Sequence, residues 1–240
     1  MKQRPVERSH GFTLVELMIA LLLTGMVAML VFGAFRIATG SWERVIGQQE
    51  RVHERYIVQT FVRRLLENAQ QIRLRDIDAR LSVAMQGDDR QVTFVTEMPT
   101  RDGVAKLFWC QLLVRETETQ QKQMIMITRP YTEGEIIDWR TPFEPTGEGE
   151  NAEETLFIEP EERVLLEDVA ELELEYLYYD EYDQPDWRRE WVEETVLPYL
   201  IRFKALPVDE DGFVGEEDTA FWPEMLVAPT DYRYAGKTLL

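Results

Sequence analysis

The residues with the clearest chemical potential lie near the amino terminus, around a single carboxylate. Glu16 stands directly before residues 17–35, a run that contains no ionisable side chain. A carboxylate inside a membrane costs about 2.5–3.5 kcal/mol at full depth and less near the interface. We therefore expect Glu16 to pair with a cation.

Few residues elsewhere could support catalysis. Beyond residue 11 the chain has one histidine, His53, and two serines, Ser41 and Ser82, while Cys110 is its one cysteine. These residues cannot supply a Ser-His-Asp triad, a Cys-His pair or a zinc site. A hydrolase with two catalytic carboxylates stays open, but no pair of acids stands out. We expect no enzyme activity and no cofactor.

Two acidic segments raise the question of calcium. Asp209, Asp211, Gly212 and Asp218 resemble part of an EF-hand loop, but Pro207 occupies the first ligand position and no glutamate closes the loop. A weaker pattern comprises Asp180, Asp183 and Asp186. A solvated acidic surface is the simpler interpretation, so we expect no metal.

The apolar run itself predicts a membrane-spanning helix, because its length matches a hydrocarbon core of about 30 Å. Lys2, Arg4 and Arg8 precede it and predict a cytoplasmic amino terminus. A secretory cleavage site after the run would be poor, since Arg36 interrupts the small residues there. The small residue at the other end is Gly11, between the basic flank and Phe12.

The segment Gly11-Phe12-Thr13-Leu14-Val15-Glu16 resembles the type IV prepilin signal. The resemblance implies that a prepilin peptidase cuts after Gly11 and N-methylates Phe12. Glu16 would then be the fifth residue of the cut chain and would attract the amino-terminal amine of a neighbouring subunit. The alternative is an uncleaved anchor with an incidental glutamate.

Apolar residues continue at spacings of three and four beyond the membrane run, which predicts one amphipathic helix. We divide the chain into a leader (1–11), a transmembrane helix (12–36), the amphipathic continuation of that helix (37–74) and a periplasmic domain (75–240). A break near Gly40 would instead give two helices.

Short β-rich runs bounded by turn residues follow, and they predict antiparallel strands at 91–98, 107–114, 123–128, 172–178 and 199–206. Residues 133–154 predict a polar loop that could be mobile. The predicted fold class is therefore α+β: a pilin-like long helix packed on antiparallel sheet.

A second resemblance covers residues 163–206, where Val164-Leu165-Leu166, Trp187, Trp191 and Leu197-Pro198 are similar to the J-type minor pseudopilins of type II secretion. Cys110 alone cannot form the intrachain disulfide of many adhesive pilins, which also favours a pseudopilin. Acidic segments 148–154 and 209–218 match nothing in that pattern.

Trp187 and Trp191 admit two interpretations. Large aromatic residues most often belong to a core, but tryptophan is also enriched at protein interfaces. The net charge of −19 argues against a nucleic-acid partner.

The resemblance implies a minor pseudopilin of the inner membrane that assembles near the tip of a periplasmic pseudopilus. Its partners would be the other minor pseudopilins, the major pseudopilin, the prepilin peptidase and the inner-membrane secretion platform. Two alternatives stay open, namely a minor pilin of a type IV pilus or DNA-uptake system, and a single-pass anchored periplasmic enzyme or binding protein.

Overall fold

A computed structural model describes residues 14–100, 103–144, 146, 159–209, 214–215 and 221–229. The chain divides into two compact units, Met1–His53 and Glu54–Leu240. In the first unit the described residues form one element, the beginning of helix α1. This helix runs from Leu14 to Glu67.

The predicted helix end at residue 74 is wrong, because α1 ends at Glu67 and a strand already begins at Arg73. The backbone leaves the helix to pair with a neighbouring strand. Ala69 forms an antiparallel bridge with Thr96, and the Gln70 amide donates to the Val95 carbonyl at 2.8 Å. The Thr96 hydroxyl donates to the Leu65 carbonyl at 2.9 Å, which satisfies one of the last carbonyls of the helix.

In the second unit the described residues form twelve strands. They are β1 (Arg73–Asp76), β2 (Leu81–Val83), β3 (Met85–Gly87), β4 (Val92–Pro99), β5 (Ala105–Glu116), β6 (Lys122–Pro130), β7 (Ile136–Ile137), β8 (Glu161–Glu167), β9 (Val169–Tyr179), β10 (Pro185–Arg188), β11 (Leu200–Pro207) and β12 (Met225–Val227).

These strands form three sheets with the orders β2-β1-β7, β3-β4-β5-β6-β8 and β10-β9-β11-β12. All pairings in the two larger sheets are antiparallel, whereas β1 and β7 are parallel. The five predicted strands correspond to β4, β5, β6, β9 and β11, so the α+β class is confirmed.

The main core lies between the carboxyl-terminal turns of α1 and the inner faces of the larger sheets. Val62, Leu65 and Leu66 of α1 belong to one buried cluster with residues such as Phe94 of β4 and Leu174 of β9. In β9, period-two alternation places Leu174 inward and its charged neighbours outward. As predicted, Leu172, Leu174 and Tyr176 are buried, while Glu171, Glu173 and Glu175 are not.

A second, smaller core covers the opposite face of the five-stranded sheet. Trp109 of β5 is fully buried there, and Tyr131, Trp139 and Phe143 pack around it. The polar loop predicted after Pro130 is present over residues 133–144, where β7 is the one strand among turns and irregular chain. Aromatic side chains fix that segment to the sheet, and β7 within it pairs with β1. The acidic segment 148–154 lies outside the described residues.

Candidate functional site

The anchor segment, Leu14–Arg36, is the first candidate site. It is long and apolar enough to cross a membrane, and none of it is buried. Its 23 residues would rise about 35 Å as a helix, which exceeds the hydrocarbon thickness of about 30 Å. By length and composition the segment is a single-pass membrane anchor.

Glu16 lies in the first turn of α1, within the anchor segment. A carboxylate at this end of a helix is favoured by the partial positive charge of the exposed amide groups. The predicted cleavage residues Gly11 and Phe12 lie outside the described residues. The chemistry available at Glu16 is electrostatic, since a carboxylate in an apolar medium attracts an ammonium far more strongly than it does in water.

The hydroxyl of Thr24 shows how the anchor segment satisfies another polar group. It donates to the Ala20 carbonyl one turn earlier at 2.7 Å. This internal bond allows a threonine to lie in hydrocarbon without a second protein. Thr24 therefore gives no indication of a role in assembly.

The structure separates the two predicted interface tryptophans. Trp191 is 2% exposed, and its indole donates to the Val196 carbonyl at 3.2 Å. This burial favours the core interpretation of Trp191, because the side chain fills part of the main core. Trp187 lies half-buried on β10, with the Arg202 guanidinium 4.1 Å from its ring centre. It stays a candidate contact residue.

Trp191 also joins the two larger sheets. Its backbone pairs with Gly87 of β3 in both directions, at 2.9 and 3.0 Å, and its ring lies 6.0 Å from Tyr176 of β9. Burial and the nearby Asp88 raise the pKa of Tyr176 well above its ordinary value, and its hydroxyl donates to the Asp88 carbonyl. A side chain at Gly87 would collide with the Tyr176 hydroxyl, so this junction requires glycine.

A buried ion pair that the sequence did not predict holds the segment after β6. Arg129 and Glu135 are 2.7 Å apart, and their side chains are 4% and 5% exposed. Glu135 also accepts the Trp109 indole N–H at 2.6 Å and the Thr132 amide at 3.1 Å. Arg129 donates to the Pro142 carbonyl, so the pair fixes both ends of the segment.

One of the acidic residues considered for calcium, Asp180, has a structural role. Asp180 accepts the backbone amides of Tyr182 and Gln184, each at 2.8 Å, and so forms the turn between β9 and β10. Most of segment 209–218 lies outside the described residues. Among the described residues no group of three His, Cys, Asp or Glu side chains could hold a metal ion. Cys110 is buried, which raises the pKa of its thiol.

The comparison with known families identifies the amino-terminal segment. The prokaryotic N-terminal methylation motif matches residues 8–32, which include Gly11, Phe12 and Glu16. No curated protein matches the chain. The chain thus carries a type IV pilin-like prepilin signal. This confirms the resemblance predicted from residues 11–16.

Proposed function

We propose that the chain is a minor pseudopilin of a type II secretion system. It assembles near the tip of the periplasmic pseudopilus that drives folded proteins across the outer membrane. The observation that carries the proposal is the methylation motif at residues 8–32, which overlaps the apolar helix Leu14–Arg36 and precedes an α+β unit. A subunit of this kind acts mechanically.

Two further observations support a pseudopilin over other proteins with the same motif. Cys110 is the single cysteine and is buried, so no intrachain disulfide can form. The resemblance of residues 163–206 to J-type pseudopilins falls on β8, β9, β10 and β11, and these strands contribute to both larger sheets. The basic flank supports a cytoplasmic amino terminus and a periplasmic domain.

Export of folded proteins tests the proposal. Deleting the gene should stop secretion into the medium and leave the cargo folded in the periplasm, and a plasmid copy should restore export. The control follows twitching, surface pili and DNA uptake in the same strains. Loss of those activities with normal secretion would assign the chain to a type IV pilus instead, and no change in either would overturn both assignments.

Glu16→Ala should weaken assembly while leaving processing and insertion intact. Breaking a buried charge pair costs about 3–5 kcal/mol, and less near the membrane interface. A loss of about 1.4 kcal/mol already lowers the pairing constant tenfold. Photocrosslinking between anchor segments in intact membranes would measure this, because contacts between periplasmic domains would not contribute.

Glu54→Ala is the matched control, since Glu54 is an exposed glutamate on the same helix but outside the anchor segment. Glu16→Gln should behave like Glu16→Ala, because it keeps the shape of the side chain and removes its charge. Equal crosslinking in the unmutated chain and both Glu16 variants would contradict the charge-pair mechanism.

A further inference from the structure

An apolar groove lies between the last turns of α1 and the side of the five-stranded sheet that faces this helix. Its volume is about 650 Å³. Side chains alternate between the two faces of a strand, so Phe108 faces α1 together with Cys110 of the main core. We call this cavity the helix–sheet groove, and its apolar lining consists of Phe61, Leu65, Met98, Phe108 and Met126.

Part of this lining is open to solvent. Leu65 and Met126 are each 4% exposed, whereas Phe61, Met98 and Phe108 are only partly buried by the described residues. A contiguous apolar surface of this kind on a folded domain indicates that something further packs there. The exposed atoms of the three partly buried side chains are within reach of an incoming group. Large apolar side chains fit such a surface best.

The charges at the rim of the helix–sheet groove are balanced. The rim carries two arginines and two glutamates, namely Arg64, Arg163, Glu97 and Glu161. Arg163 and Glu161 pair with each other at 2.9 Å. Because the two signs are equal in number, we expect the burial of apolar surface, and not a net charge, to select the occupant.

The chain itself supplies an apolar segment next to this groove. Residues 147–158 lie outside the described residues, between Thr146, whose hydroxyl donates to the Ile136 carbonyl at 2.8 Å, and Glu159. Residues 147–155 include four glutamates and no large apolar side chain. The next three residues, Leu156-Phe157-Ile158, are all large and apolar. This composition fits a polar linker followed by an apolar contact.

The covalent connection keeps the three apolar residues close to the helix–sheet groove. Glu161 lines the groove and is paired with Thr128 of β6. Ile158 is three residues before Glu161, so their Cα atoms are at most about 11 Å apart. For Leu156 the limit is about 18 Å. A tethered segment has an effective concentration in the millimolar range, which favours it over a separate partner of similar composition.

We propose that Leu156, Phe157 and Ile158 pack in the helix–sheet groove of their own chain. They would contact Phe61 on one side and Phe108 on the other. The acidic segment 148–154 would then serve as the linker that carries the chain from Thr146 to the groove, with its glutamates in water. The groove is therefore an intramolecular contact and not a site for another subunit. The inference is independent of the pseudopilin proposal, since it rests on the second compact unit alone.

Photocrosslinking in the full chain tests the inference. The benzophenone amino acid p-benzoylphenylalanine replaces Phe157, and the protein is irradiated in detergent. Benzophenone reacts readily with methionine, so Met98 and Met126 of the groove are the expected targets, and mass spectrometry of the digest identifies them. The matched control carries the same amino acid at Tyr182, which is 81% exposed. It should give no crosslink to the groove.

Isotope mixing shows which copy supplies the segment. Unlabelled chains and chains labelled with a heavy nitrogen isotope are combined in equal amounts before irradiation. Each crosslinked pair of peptides should be entirely light or entirely heavy, because the segment is tethered to its own groove. Mixed pairs would assign the groove to the segment of a second copy and overturn the inference.

Oxidation of Met98 by hydrogen peroxide gives a second readout. Replacing residues 156–158 by three serines should speed this oxidation by about tenfold, because the thioether loses its cover. Met85 and Met124 are fully buried and should stay protected, which would show that the sheet remains folded. Val196→Ser changes an exposed apolar residue that does not line the groove, and it should leave the Met98 rate unchanged.

Absence of crosslinks from position 157 to Met98 or Met126 would overturn the inference. An equal rate of Met98 oxidation in the unmutated chain and in the triple-serine variant would also contradict it, because it would show that residues 156–158 do not cover the groove.

Discussion

Gly11→Val should leave the chain uncut, with residues 1–11 still attached to the anchor segment. The prepilin resemblance implies a peptidase that accepts a small residue before the cut, and valine adds a β-branched side chain at that position. Intact mass spectrometry of the membrane protein should show an N-methylated Phe12 start for the unmutated chain. The variant should show the start of the precursor.

Gly25→Val is the matched control for this effect. Gly25 also belongs to the methylation-motif match, but a side chain there meets no atom within 4 Å. Its processing should be normal, because the change lies more than three helical turns beyond the cleavage site. An unmutated chain that begins at Met1, or one cut near Ala38, would contradict the pseudopilin proposal.

The helix and the longer strands could be predicted because their side chains repeat with the period of the element. In β9 the alternation is clear, since one face packs on the core and the other carries Glu171, Glu173 and Glu175 to the surface. The end of α1 could not be predicted from the same evidence. Ala69 and Ile72 continue the helical spacing, but pairing with β4 overrides it at Ala69.

The candidate sites were predictable to different degrees. Glu16 was found because a charge in an apolar run is rare, and that signal is local in the sequence. Other groupings could not be predicted: Gln86, Thr93 and Gln111 become neighbours on the five-stranded sheet only through strand register. Trp187 and Trp191 could not be distinguished in advance, since tertiary contacts with Gly87 and Tyr176 place Trp191 in the main core.

The buried pair was missed for a different reason. Charged residues are rarely fully buried, so a sequence gives no reason to place Arg129 and Glu135 inside. What buries them is the packing of Tyr131, Trp139 and Phe143 around Trp109. Residues 131–144 contain few apolar side chains, and these follow neither the helical nor the strand period. The sequence pattern therefore predicts a polar loop. The Arg129–Glu135 ion pair and its hydrogen bonds hold this segment against the sheet.

Glu135→Ala should therefore destabilise the second unit by about 3–5 kcal/mol, because it leaves Arg129 buried without its counterion. The Trp109 indole and the Thr132 amide lose their acceptor at the same time. Since domains of this kind are stable by only about 5–15 kcal/mol, the variant should lose a large part of its stability. Urea unfolding of the full chain in detergent, followed by tryptophan fluorescence, would measure the change.

Arg115→Met is the control, since the Arg115–Glu162 pair lies on the same sheet with its side chains 47% and 42% exposed. Losing that exposed pair should lower the free energy of unfolding by about 0–1 kcal/mol. The double variant Arg129→Met/Glu135→Ala removes both buried charges. Its loss of stability should therefore be smaller than the sum of the losses measured for the two single variants. If the loss in the double variant instead equals the sum of the two single losses of unfolding free energy, the charges do not stabilise each other. The aromatic packing around Trp109 would then hold residues 131–144 without the ion pair.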